Sequence, residues 1–234
     1  GPCRNHDVNL SLIIEKRKPT GAAIIQRAWQ AIQIELEEGR VSLLERARRD
    51  LAQHDVFAFI ERAKALLANA DRDDDSGEAD SREANAIDRL DEATTESMKA
   101  WDEALALAFE QRDEARLHKF RIATKRLRYR AELLVDLGQS NAKLLVQELK
   151  KLQQALGDWH DRCVLLRHVA EFIGRPNFLA DHPDIGRVLL AEMEKEKLRN
   201  ETAIDELMRG AAKVRECWAR WKPGTENAAK KSES

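Results

Sequence analysis

The chain has 234 residues, 43% apolar and 35% charged, with only 10 Gly and 5 Pro. That apolar share can bury a substantial core and excludes a wholly disordered chain. Leu, Ala, Glu and Arg dominate and β-branched runs are short, so the expected fold is all-α, built of antiparallel helical bundles. The formal net charge of −2 taken alone argues against a polyanionic ligand.

Cys3, Cys163 and Cys217 are odd in number and widely separated, which suits a reducing cytoplasm rather than a disulfide framework. No apolar run approaches the ~20 residues needed to span a bilayer, and no signal peptide is evident. A cytoplasmic protein without membrane association is expected. The chain opens Gly1-Pro2 without an initiator Met, which reads as a protease-cleavage scar, and residues 1–19 are set aside as an N-terminal segment. Cys3 and His6 have a metal-like spacing, but no second pair accompanies them, so no structural zinc is expected.

Thr20 caps a first predicted helix carrying Ile24, Ile25, Ala28, Ile32 and Leu36 and ending near Gly39. A second spans about 40–70, with Leu43, Leu44, Leu51, Val56, Phe59, Ile60 and Leu67 on its apolar side. Residues 20–70 together form a first helical half. Residues 71–85 hold seven acids, one Gly and no large apolar residue, and read as an acidic linker. An EF-hand reading fails, because counting from Asp71 puts Ser76 at position six and Arg82 at position twelve, where Gly and Glu are required.

A third helix is expected over about 86–114, with Ile87, Leu90, Met98, Trp101 and Leu105 inward. A basic helix follows, about 116–137, stopped by Gly138. Next comes a Leu-rich helix, about 141–156, interrupted at Gly157 and resuming through Phe172. Residues 174–183 read as a loop, and a last long helix runs from about 183 to 221. Residues 222–234 read as a disordered tail. Residues 86–221 form a second half of four helices. A weak echo pairs Ala28-Trp29 with Ala100-Trp101, consistent with duplication or with chance.

The basic helix organises the functional reading. Arg116–Arg130 holds seven Lys or Arg, and no acid occurs from Ala115 to Ala131. At about 100° per residue, Phe120, Ala123, Thr124, Leu127, Ala131 and Leu134 share one side. His118, Arg121, Lys125, Arg128 and Tyr129 share the other, and Lys119, Arg126 and Arg130 form a second basic stripe. Like charges at i,i+3 and i,i+4 cost on the order of 0.2–0.5 kcal/mol per pair, so an anionic partner is the natural offset. The plainer alternative is a solvated face neutralised by carboxylates of a neighbouring helix. Charge is segregated along the chain: residues 115–170 carry a balance of +7, and the remainder −9.

Lys150 and Lys151, then His160, Asp161, Arg162, Arg167 and His168, add a second basic contribution. Packed beside the basic helix, they would give a groove with cations on both walls, suited to phosphate oxygens. Nucleic acid fits less well. The basic face offers only Tyr129 for stacking, and Arg116–Arg130 lacks the Asn and Gln that read base edges. A linear phosphate polymer without bases fits the inventory better. No nucleophilic triad, Gly-rich phosphate loop or metal-spaced cluster is present, so neither an enzyme nor a cofactor is expected. Phosphotransfer through His118 is disfavoured because His118-Lys119 is followed by Phe120 rather than Gly.

The stretch H-K-F-R-I-A-T-K-R-L-R-Y (His118–Tyr129) resembles the CHAD family, the conserved histidine α-helical domain. L-K-K-L-Q-Q-A-L-G-D-W-H-D (Leu149–Asp161) resembles that family's second signature. The resemblance covers about residues 86–221. It implies two four-helix bundles around a basic surface that binds inorganic polyphosphate, association with polyphosphate granules, and frequent company of a CYTH triphosphatase domain. The positions matching its ligand contacts are His118, Arg121, Lys125, Arg126, Arg128, Lys150 and Lys151, with His160. Residues 8–85 show no His-x-x-Arg signature and are short for four helices, so the first half reads as degenerate, and dimerisation would restore a missing wall. No CYTH-like acidic strand pattern occurs, so no triphosphatase activity follows. The resulting expectation is a non-enzymatic polyphosphate-binding module. The rival readings are a scaffold docking an acidic protein and an RNA binder.

Overall fold

The computed structural model describes residues 2–16, 23–53, 58, 60–62, 64, 65 and 79–221. Its helices are α1 (Pro2–Lys16), α2 (Ala23–Ala52), α3 (Ala79–Gln111), α4 (Glu114–Asp136), α5 (Lys143–Ile173), the one-turn α6 (Phe178–Asp181) and α7 (Pro183–Arg220). A 3₁₀ turn, Ser140–Ala142, precedes α5. No strand occurs among the described residues, as the composition led one to expect of an all-α chain.

Several boundaries differ from the sequence reading. Gly39 does not end a helix and Gly157 does not interrupt one; both lie inside continuous helices. A helical Gly costs roughly 1 kcal/mol relative to Ala, which burial of flanking residues such as Leu36, Leu156 and Trp159 outweighs. The N-terminal segment contains a helix, α1. Residues 79–85 of the expected linker are already helical, while 71–78 and the tail 222–234 lie outside the described residues.

The described residues pack as two units, those within 1–77 together with 161–199, and those within 78–160 together with those after 199. Helices α5 and α7 therefore each contribute one segment to each unit. Sequence periodicity had grouped 86–221 together. The structure puts 161–199 with the first unit because Leu165, Val169, Phe172, Ile173 and Leu189 share a core with Ile13 of α1 and with Ala28, Trp29, Ile32 and Leu36 of α2. In that unit the Arg40 Nε–H donates to Asp7 Oδ1 at 2.7 Å, tying α2 to α1.

In the second unit α3 and α4 form a helical hairpin joined by Arg112 and Asp113, with Arg112 at φ 48°. Trp101 and Phe120 are fully buried, with ring centroids 5.3 Å apart. The Trp101 Nε1–H donates to Thr124 Oγ1 (3.0 Å), whose hydroxyl donates to the Phe120 carbonyl (2.9 Å). This buried polar pair is thus satisfied, as burial requires. Helix α4 ends where the sequence placed its stop. Gly138 adopts φ 88°, and the Gln139 N–H bonds back to the Leu134 carbonyl at 2.9 Å, a left-handed cap that a Cβ would strain. Trp221 Nε1–H donates to Asn141 Oδ1 (3.0 Å), fastening the end of α7 to the turn before α5.

Candidate functional site

Helix α4 is capped at its start by Asp113, whose carboxylate accepts from the Arg116 backbone N–H at 2.8 Å. That hydrogen bond holds the Asp113 carboxyl below its ordinary range, helped by the Arg116 guanidinium that contacts it. Leu117, Phe120, Thr124, Leu127, Ala131 and Leu134 are buried. With that side committed to the core, the helical period forces the cations of α4 onto the remaining surface, where they separate into two flanks.

The first flank carries His118, Arg121, Lys125 and Arg128. These are spaced three and four apart, so their side chains are neighbours on one face. The His118 ring lies 5.6 Å from that of His160 on α5, tilted by 42°. Lys125 Nζ and Arg128 Cζ sit 5.5 and 4.5 Å from the centre of the Tyr129 ring, within range for cation–π attraction. Arg128 Nη1 meets Glu132 Oε1 at 3.2 Å, and Lys150 Nζ of α5 meets the same oxygen at 3.1 Å. Glu132 therefore draws the two helices' cations together while cancelling one charge of the two. Among the described residues, no carboxylate pairs with His118, Arg121 or Lys125. Arg121 is half-buried, and its Nε–H is buried without a hydrogen-bond partner. Such a donor is costly unless an acceptor arrives.

The second flank faces α3. Two adjoining cavities of about 340 and 230 Å³ share Ala100 and Lys119. Arg116 and Glu103 line the first, Arg126 and Ile122 the second. Arg126, expected from the resemblance to join His118 and Arg121, is in this groove instead, turned about 140° around the helix from Arg121 and about 100° from Lys125. Arg130 is spent structurally, donating to the Ala93 carbonyl and Ser97 Oγ of α3.

Lys151 also departs from the expected cluster. Its Nζ pairs with Glu148 on its own helix at 2.6 Å. Burial raises the Cys217 thiol of α7, Glu148 raises it further, and Lys151 opposes the rise. The Lys151–Glu148 pair thus lies on the α7 side of α5, whereas Lys150 reaches α4. The structure therefore assembles His118, Arg121, Lys125, Arg128, Lys150 and His160, and places Arg126 and Lys151 elsewhere. Glu132 is the member that the sequence reading missed. Its signal was present, as an acid four residues after Arg128 that ends the acid-free run. No group of three or more His, Cys, Asp or Glu among the described residues is placed to hold a metal, and no described helix is long and apolar enough to cross a membrane.

The sequence pattern of the CHAD domain matches residues 1–170. The match covers well over half of the chain, and the protein belongs to the CHAD domain family. It takes in α1 and α2, which the sequence resemblance had left aside. No curated protein and no solved structure matches the chain.

Proposed function

We propose that this protein binds inorganic polyphosphate, without catalysis, on the flank of α4 that faces α5. Supporting this is one arrangement above others: His118, Arg121 and Lys125 stand together without carboxylate partners, beside His160 and Lys150 of a second helix. Guanidinium and ammonium groups from two helices suit a flexible chain of phosphates, each bringing charge and acceptor oxygens but no base to stack. Tyr129 is occupied by Lys125 and Arg128, which leaves the face poor in stacking surface for RNA. Membership of the CHAD family is consistent with this ligand, and an association with polyphosphate granules or a CYTH-type partner rests on the family likeness alone.

The test is filter binding with polyphosphate of graded length, in competition with RNA oligomers. Long chains should bind far better than short ones, and affinity should fall by orders of magnitude as salt rises. Replacing both Arg121→Ala and Lys125→Ala should weaken binding about tenfold or more, the scale of one lost charge-assisted contact, with the helical circular dichroism unchanged. Unaltered affinity in that variant, or RNA displacing polyphosphate, would contradict the reading.

A further inference from the structure

Helix α2 has two apolar sides. Ala28, Trp29, Ile32 and Leu36 enter the first unit's core. No residue from Glu37 to Gln53 is buried. A second apolar series runs along the exposed side: Ile34 is 50% exposed, Val41 59%, Leu44 46% and Leu51 62%. At about 100° per residue this series points away from the Trp29–Ile32–Leu36 side. Scattered exposed apolar residues need no explanation, but these are not scattered. With the exposed Glu37 and Arg48 they occupy positions 34, 37, 41, 44, 48 and 51, alternately three and four apart. That is the spacing of the seam positions in a two-stranded coiled coil.

The order along the seam is Ile, Glu, Val, Leu, Arg, Leu. Laid against its own reverse, every apolar residue meets an apolar one and every charge meets its opposite. A two-fold axis between Ser42 and Leu43 sets Ile34 against the partner's Leu51, Val41 against the partner's Leu44 and Glu37 against the partner's Arg48. We propose that this face of α2 is a self-association surface, pairing two copies of the chain antiparallel about that axis. The contact is isologous, so it closes as a dimer.

The charges select both partner and direction. A parallel pair would set Glu37 on Glu37 and Arg48 on Arg48 within the seam. An unrelated apolar helix would leave both charges unanswered. The antiparallel pair does bring Glu38 towards the partner's Glu45 at its edge. Those groups stay solvated, where like charges are screened, whereas the seam charges are covered by their neighbours. Glu37 is held in place beforehand, since its Oε1 accepts from Gln33 Nε2 at 2.6 Å. The pairing is short, so a concentration-dependent dimer is expected rather than a permanent one.

The test is sedimentation equilibrium of the full chain at low salt, without polyphosphate, so its outcome is independent of the ligand assignment. The wild type should show a monomer–dimer equilibrium. E37R and R48E each place like charges at both seam contacts and should each weaken dimerisation about tenfold or more, with circular dichroism unchanged. The doubly exchanged variant E37R/R48E should restore it, and the two single variants should pair with each other when mixed. A wild type that stays monomeric at every concentration, single variants that dimerise normally, or an exchanged variant that remains dissociated would each overturn the proposal.

Discussion

The two flanks of α4 carry the same kinds of cation on different foundations. Towards α5, Arg121 and Arg128 are partly buried and Lys125 and Arg128 lie over the Tyr129 ring. Lys150 is drawn in by Glu132. Towards α3, Arg116 is tied to its own cap and Arg130 to the α3 backbone, leaving Lys119 and Arg126 exposed above a largely apolar groove. Position along the sequence does not separate these groups, since Lys125 and Arg126 are adjacent. Azimuth does. A cation becomes part of an anion site where its neighbours gather further cations and hold them partly out of water, because field strength follows local arrangement and dielectric.

Trp101→Ala removes a fully buried ring and the hydrogen bond to Thr124 that seats α4 on α3. A loss of about 3–5 kcal/mol is expected in urea unfolding, and both flanks should suffer together. Glu132→Gln keeps the side chain's shape but frees Arg128 and Lys150 from a shared negative charge. Polyphosphate affinity should rise roughly threefold, in line with a partly exposed ion pair, whereas a purely structural Glu132 would give no gain. The smallest effect concerns Asp113. Its folded-state pKa is lowered, so its contribution to stability is present above the unfolded-state value near 3.8 and is lost as pH falls through the depressed one. Asp113→Asn should flatten the acid limb of thermal unfolding slightly while leaving binding near neutral pH unchanged.

The helices were legible because their apolar positions follow the 3.6-residue period closely: the buried set on α4 adds only Leu117 to the expected one and finds Ala123 half-buried. The Gly138 stop was legible because a positive φ has a characteristic residue. Gly39 and Gly157 misled because local propensity cannot register the tertiary burial that carries a helix through them. The grouping of 161–199 with the first unit was invisible for a related reason, since periodicity reports which side of a helix is apolar but not which core receives it. At the site, the cations of α4 and their two stripes could be named from sequence, yet which stripe meets α5 and which meets α3 could not. Arg126 shows the limit. A motif match brings a residue along by its neighbours in sequence, and here the adjacent Lys125 and Arg126 face different surroundings. The palindromic seam of α2, by contrast, is wholly present in the sequence, and only its exposure distinguishes it from a second core side.

On the proposed reading, the flank facing α5 holds polyphosphate and the flank facing α3 does not. Titrating one long polyphosphate into the R121A/K125A and K119A/R126A variants at the same ionic strength compares them directly, since each loses two cations from the same helix. The first variant should lose about tenfold or more in affinity and the second less than about threefold. Equal losses would show that only net charge matters, and a larger loss in the second would move the site to the groove against α3.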